Sequence, residues 1–339
     1  MIEAGNFEHG ASALWTPRDR VDVARELGIT DAALESVIAR ARPLLFVARE
    51  KRVRPMLDDK CLASWNALMI SALADAGGTL GDASYVEAAA RALTTWRTLA
   101  CPDGRLRHAI KGAEAYGDGF LEDVAGMCGA ALDVYEAAFA AEALEFARAL
   151  GDDLLARFWD DERGVMYFTP TGAEIVLHRS TDPHDHAYPG GVGLALDALL
   201  RLGTITGTIR YRSAAERMLG SLTNMAAQNP MGLGTIVQAA DRAVTGGMQI
   251  VVLGDSSRAD TREVLRAIRT VPLSHTTVLC ARDAADPSAA GTDPAWWTGR
   301  TAGPNGEPVV YVCRGETCDL PARDLPSVLA ALRRNRVVA

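Results

Sequence analysis

Aromatic residues are scarce in this chain, at 6% of 339 residues, while alanine fills many helical positions, so its helices are expected to pack closely through small side chains. Lysine is nearly missing: Lys51, Lys60 and Lys111 are the only three among 35 basic residues, a bias toward arginine that reads as a GC-rich genome and not as function. Positive charge is in deficit overall. A net charge of −8 gives no general attraction to phosphate backbones or anionic membranes, so neither nucleic acid nor membrane is expected as a partner. No apolar run approaches the ~18 residues of a membrane span. Met1–Gly5 shows no basic stretch leading into an apolar core, so no signal peptide is read there. The six cysteines (Cys61, Cys101, Cys128, Cys280, Cys313 and Cys318) are too few for a disulfide framework and include no C-x-x-C pair. The expectation is a reduced, cytoplasmic protein in which Cys313 and Cys318 are free thiols.

What is present is an ordinary globular balance, 48% hydrophobic and 23% charged, which excludes a disordered or collagen-like chain. The length suggests about two domains. Residues 1–245 read as mainly helical. Trp65, Leu68, Met69, Ala72, Leu73 and Ala76 fall on one face of a helix over about 61–76, and Cys61, Leu62, Ala67 and Ile70 widen that stripe. Further helices are predicted over about 19–27, 30–50 (with a kink or break at Pro43), 84–99, 119–139, 141–158, 190–203 and 209–226. Helix, short loop, helix is the rhythm of stacked helical hairpins. Val165–Thr169 and Glu174–His178 flank Pro170-Thr171-Gly172 and predict a small β-hairpin. After Gly246 the texture changes. Strands at 249–253, 276–281 and 309–313 with helices near 260–269 and 323–335 predict a small α/β domain over 246–339, and 283–308 reads as a mobile loop.

Seven strings, in order, carry a resemblance: Gly5-Asn6-Phe7-Glu8, Arg54-Pro55-Met56-Leu57-Asp58-Asp59-Lys60, Ser64-Trp65-Asn66-Ala67-Leu68-Met69-Ile70, Asp103-Gly104-Arg105-Leu106, Gly119-Phe120-Leu121-Glu122-Asp123, Asp185-His186-Ala187-Tyr188-Pro189, and Tyr311-Val312-Cys313-Arg314-Gly315-Glu316-Thr317-Cys318. Together they resemble the YyaL-type, thioredoxin-linked spermatogenesis-associated protein family over essentially the whole chain. Members of that family begin with a thioredoxin-like domain and continue into a helical toroid similar to six-hairpin glycosidase and N-acylglucosamine epimerase folds. The resemblance therefore implies a mainly α fold: an incomplete α/α toroid over 1–245, with about eight helices where a closed ring needs twelve, then the small α/β domain. It implies the C-terminal part of the family's architecture. One departure stands out: Gly190-Gly191-Val192-Gly193 replaces a Ser-Gly-Asn-Ser-like string, losing side chains that would hydrogen-bond a substrate at a helix start.

The candidate site residues each have two readings. Asp58 and Asp59 precede a helix, where carboxylates cap free N–H groups; they equally suit acid–base work or sugar binding at a cavity mouth. Glu122 and Asp123 lie in a first helical turn, favoured by the dipole, and their ~100° separation lets only one face a cavity. His184, Asp185 and His186 have metal-ligand chemistry, but no clear fourth ligand accompanies them, so no metal is expected; Asp185 as a catalytic acid or base and His186 as a sugar ligand are the preferred roles. Trp65 and Asn66 could stack and hydrogen-bond a sugar, although a Trp at stripe spacing is more often core. Gly254-Asp255-Ser256-Ser257 is read as a helix cap ahead of a phosphate cradle.

Two functions remain. One is a toroid fragment that is non-catalytic alone and docks with a thioredoxin-like or N-terminal toroid partner chain, or with itself. The other is a carbohydrate-active enzyme without a cofactor, either a glycoside hydrolase using Asp59, Glu122, Asp123 and Asp185, or a sugar 2-epimerase-like protein for which His108 and His186 are the candidate bases.

Overall fold

The computed structural model describes residues 15–174, 178–315 and 317–335. The chain divides into two compact units, Met1–Asp58 and Asp59–Ala339. In the first, Asp19 caps α1 (Arg20–Leu27) by accepting from Val21 N at 2.8 Å, and Gly28 ends it with φ 65°. Thr30 caps α2 (Asp31–Glu50) in the same way through Ala33 N at 3.2 Å. The helix runs on through Pro43 instead of breaking there. Leu34 is buried, whereas Val37, Leu44, Leu45, Phe46 and Val47 are exposed.

The second unit opens with β1 (Cys61–Leu62), α3 (Ala63–Leu80) and α4 (Ala83–Leu99). A hairpin follows, β2 (Arg107–Lys111) with β3 (Glu114–Asp118), completing an antiparallel sheet in the order β1-β2-β3. Then come α5 (Leu121–Ala138) and α6 (Ala141–Asp153), the latter extended by a π-helical turn over Leu154–Phe158. β4 (Trp159–Asp160) pairs with β5 (Val165–Met166), and α7 (Gly191–Thr206), α8 (Ile209–Gln228) and α9 (Gly234–Thr245) complete the helical part. The hairpin thus turns at 161–164, not at Pro170-Thr171-Gly172. Asp160 accepts from Arg163 N at 3.1 Å and Gly164 supplies φ 68°, a tighter device than the expected turn. Part of the expected second arm, 175–177, lies outside the described residues.

Helices α3, α5, α7 and α9 stand side by side in a row, each packed on the next, and α4, α6 and α8 run back between them. This is an arc of α/α hairpins. Its inner helices all point the same way, so their N-termini share one rim. Connections at the opposite end are short, as at Gly81-Asp82, Phe139-Ala140 and Gly207-Thr208. At the shared rim two connections are long, 100–120 and 167–190, and the one from α8 to α9, 229–233, is short. Alanine and glycine make the close packing possible. A Cβ on Gly126 of α5 would stand 3.3 Å from the Ala67 methyl of α3, so the bare glycine lets this pair of helices pack closely. Helix α5 is buried almost all round, from Leu121 to Tyr135.

The C-terminal sheet belongs to the same compact unit. β6 (Met248–Leu253), α10 (Ala259–Thr270) and β7 (Thr276–Ala281) form a parallel crossover; β8 (Val309–Arg314) runs antiparallel to β6, and β9 (Thr317–Cys318) to β8, before α11 (Leu325–Asn335). Buried charge joins this sheet to the helices. Arg201 of α7 reaches Asp133 at 2.7 Å and Glu136 at 2.9 Å, and Glu136 also accepts from Val278 N of β7 at 2.9 Å. The segment 283–308 is fastened down rather than loose. Tyr135 Oη donates to Ser288 O at 2.9 Å, Asp293 N donates to Ile205 O at 2.8 Å, and Trp297 is buried with its Nε1 donating to Thr292 Oγ1 at 2.8 Å. Asp255 closes its own turn by accepting from Ser257 N at 2.8 Å, but it does not cap α10 as expected: Arg258 stands at the N-cap and its side chain makes no capping bond there. Cys313 and Cys318 form a disulfide and are not free thiols: the β8–β9 register sets them directly opposite, with Cα atoms 3.9 Å apart.

Candidate functional site

The rim where the inner helices begin is held together by carboxylates. Asp123, fully buried in the first turn of α5, accepts from Ser64 N at the start of α3 at 2.9 Å and from its own Phe120 N at 2.9 Å. Its third partner is His108 on β2, whose Nδ1 lies 2.8 Å from Asp123 Oδ2. A carboxylate can only accept, so in a contact of that kind the proton sits on Nδ1 and Nε2 is the nitrogen that faces outward. The imidazole is 28% exposed, and Nε2 has no protein partner among the described residues. An edge-to-face contact with Phe120 (centroids 5.0 Å apart) steadies the ring, and Phe120 stacks in turn on Phe168 at 4.8 Å.

Glu122 sits beside this pair. Its carboxyl is half-buried, and desolvation, helped by the Asp123 charge, raises its pKa; His108 and His186 pull the other way, which places both imidazoles within electrostatic reach of it. Gly191, first residue of α7, packs directly on Glu122: a Cβ there would stand 3.0 Å from Glu122 N. Within the string that replaces the expected hydroxyl-bearing one, Gly191 thus lets α7 approach α5, and Gly193 lets it approach Thr235 of α9.

Asp185 ties the next two helices. It accepts from Gly190 N at 2.8 Å, from Thr235 N of α9 at 2.8 Å and from the Thr235 hydroxyl at 2.5 Å. Burial works against its ionisation, but these bonds outweigh burial and hold its pKa below the usual carboxylate range. His184 and His186 both lean on Asp182, at 3.1 and 3.2 Å. Among the described residues no group of three His, Cys, Asp or Glu side chains is arranged to hold a metal ion.

Asp59, Trp65 and Asn66 lie around the same end of α3. Asp59 is exposed and paired with Lys111 Nζ of β2 at 2.9 Å. Asp58 is the exposed last residue of the first unit. Asn66 Nδ2 donates to Leu62 O at 2.8 Å, closing the first turn. Trp65 is 60% exposed, so it is not core; with Met69, also 60% exposed, it forms an apolar stripe along α3. The rim therefore gathers Asp59, Trp65, His108, Glu122, Asp123 and Asp185 at one end of the helical layer. An open cleft of about 330 Å³ lies away from the rim, lined by Asp133, Glu136, Arg201 and Arg269 between helices and sheet, and another of about 340 Å³ adjoins the rim loop at Asp182, His184 and Val192.

Sequence suggests His108 only as a candidate base alongside His186 and gives no sign of what holds it. Its partner Asp123 is fifteen positions away on another element, and only a hairpin that brings 107–111 back under the α5 start could have revealed the contact.

The fold and the rim define a helical α/α-hairpin protein with carboxyl and imidazole side chains gathered where its inner helices begin. No protein-family model matches the chain. It is 28% identical to spermatogenesis-associated protein 20 of Rattus norvegicus over 96% of its own length, and 27% identical to the Homo sapiens protein over the same share. An uncharacterized protein of Caenorhabditis elegans is 27% identical over 87% of the chain. The chain spans less than half of these relatives: 43%, 44% and 41% of their lengths. Among solved structures, a cellobiose 2-epimerase from Bacillus thermoamylovorans matches at TM-score 0.40 and 13% identity, covering 48% of this chain and 44% of the other. A GH76 α-mannanase from Bacteroides thetaiotaomicron matches at TM-score 0.43 and 17% identity, covering 64% and 58%.

Proposed function

We propose that this chain corresponds to the C-terminal part of a toroid protein related to spermatogenesis-associated protein 20, that it is inactive alone, and that its rim is one side of an acid–base site for a carbohydrate. The observation that carries this reading is the buried Asp123 holding His108 by Nδ1, with Nε2 left unpartnered beside the half-buried Glu122. A buried carboxylate that fixes the tautomer and orientation of an imidazole is the usual way to prepare a general base. In this reading Asp123 and Asp185 position other groups, His108 and Glu122 move protons, and Trp65 offers a stacking face.

The carboxylate count favours proton transfer over glycoside hydrolysis. Hydrolysis needs two carboxyl groups facing each other across the sugar. Of the four nominated here, Asp123 and Asp185 are committed to backbone and side-chain donors, and Asp59 faces Lys111; Glu122 remains. An imidazole and one carboxyl of raised pKa suit removal and return of a proton next to a carbonyl.

The test is solvent-deuterium exchange at C2 of a panel of aldoses and β-linked disaccharides. The chain alone should give none. The chain completed by the preceding toroid helices, in one polypeptide or in trans, should give exchange that His108→Gln abolishes while leaving the fold intact. Full exchange in His108→Gln, or reducing-end release without exchange, would reject the proposed chemistry.

A further inference from the structure

The Cys313–Cys318 disulfide is not placed as a structural staple would be. Cys313 is buried on β8, at 1% exposure, whereas Cys318 on the two-residue strand β9 is exposed. One guanidinium nitrogen serves both sulfurs: Arg300 Nη2 stands 3.5 Å from Cys313 Sγ and 3.4 Å from Cys318 Sγ. Arg300 is itself anchored by donating to Ala295 O at 2.9 Å and by lying 5.5 Å over the Tyr311 ring, and no carboxylate pairs with it among the described residues. A fixed cation against a sulfur favours the thiolate over the thiol. A lower-pKa thiol is also the better leaving group in thiol–disulfide exchange.

We propose that Cys313 and Cys318 are an exchangeable redox pair whose substrate is a dithiol, with Cys318 the sulfur attacked and Arg300 the group that holds the departing Cys313 thiolate. A dithiol thiolate attacks Cys318 Sγ, forming a mixed disulfide and breaking the Cys313–Cys318 bond. Cys313 leaves with the electron pair beside Arg300. The second sulfur of the dithiol then attacks the first and releases Cys318. The dithiol loses two electrons and two protons and becomes a disulfide; the protein gains both electrons and both protons as two thiols.

Cys313 is buried and Cys318 is the exposed residue of the pair, so the direction of attack is set by burial. The other cysteines give little interference. Burial raises Cys101 to about 11 and both Cys128 and Cys280 to about 12, which leaves them thiols at neutral pH. Cys61 is exposed and free, and a Cys61→Ser background removes it from the readout.

The experiment treats the full folded chain in that background with dithiothreitol, then alkylates and maps the labelled peptides by mass spectrometry; a parallel arm uses reduced glutathione to trap the mixed disulfide. The expected results are labelling of Cys313 and Cys318 without denaturant, glutathione carried on Cys318 and not on Cys313, and reduction about threefold to tenfold slower in Arg300→Met, with Arg300→Lys recovering part of the rate. Unlabelled Cys128 certifies that each variant is folded; if Arg300→Met fails that check, Arg300→Lys against the parent and the site of glutathione decide. A pair that resists reduction until the chain unfolds, glutathione on Cys313, or equal rates in folded parent and variants would overturn the proposal.

Discussion

Replacing Asp123 with alanine removes three hydrogen bonds at once and tests how the rim is built. The carboxylate is fully buried and its partners come from three elements: Ser64 N at the start of α3, Phe120 N before α5, and His108 Nδ1 on β2. Hydrogen bonds to a charged group contribute roughly 1.5–3 kcal/mol each, and a buried donor left without a partner costs about 1–3 kcal/mol. Ser64 is buried and its N–H has nowhere to turn; His108 is partly exposed and can reach water, and Phe120 N is intermediate. The sum is therefore not three full penalties but about 3–5 kcal/mol, a large share of a typical 5–15 kcal/mol stability. Asp59→Ala is the control. It removes an exposed pair with Lys111, worth under ~1 kcal/mol. Urea unfolding of both variants, with unchanged slope, reads the difference directly. If Asp123→Ala unfolds within about 1 kcal/mol of the parent, the carboxylate is not organising the rim, and the case for a prepared His108 falls with it.

Glu122 and Asp185 should leave opposite marks on the pH profile of stability. The folded-state pKa of Glu122 is raised above its ordinary 4.5, so its contribution is present below that value and is lost as pH rises through the folded pKa; Glu122→Gln should flatten this fall and stabilise the chain at neutral pH, and thermal melts that shift in parallel across pH 4–7 would contradict it. The pKa of Asp185 is lowered from 3.8, so its contribution is present above 3.8 and is lost as pH falls through the folded pKa; Asp185→Asn should cost stability at pH 7 and reduce the loss on the acid side, measured by melts from pH 7 downward. Arg201→Met leaves Asp133 and Glu136 without their buried cation and should cost roughly 3–5 kcal/mol in urea unfolding, more than any single exposed ion pair. Trp65→Gln with Met69→Gln should reduce self-association of the purified chain in light scattering, because these side chains expose apolar surface along α3; a parent that is already a clean monomer at high concentration would refute that.

The helices were legible because their apolar faces recur with the helical period, and the C-terminal strands because they are β-branched runs. What escaped lacked such a signal. Helix α9 buries mainly Ile236 and Ala239, too narrow a stripe to register, and it follows the turn-like Pro230-Met231-Gly232. The β2–β3 hairpin mixes charges with Ala109 and Ile110 and turns on Lys111-Gly112-Ala113-Glu114, a pattern with no clean alternation. The disulfide was missed for a related reason: β9 is two residues long, so nothing in the sequence announces the register that sets Cys318 opposite Cys313.

The acidic strings were found but could not be sorted, because sequence shows a carboxyl and not where its lone pairs go. Asp123 and Glu122 are adjacent and chemically alike, yet one is spent on two backbone N–H groups and an imidazole while the other, half-buried, has no hydrogen-bond partner among the described residues. Asp185 stood out for its two histidine neighbours, but its bonds run to Thr235 and Gly190, and both histidines lean instead on Asp182. A motif in this rim therefore marks a helix start that must be fastened, and chemistry is left to whichever group the fastening does not consume. By that rule His108 and Glu122 are the pair to mutate for activity. Asp123 and Asp185 are the pair to mutate for stability, and a variant of either that kept full stability while losing activity would break the rule.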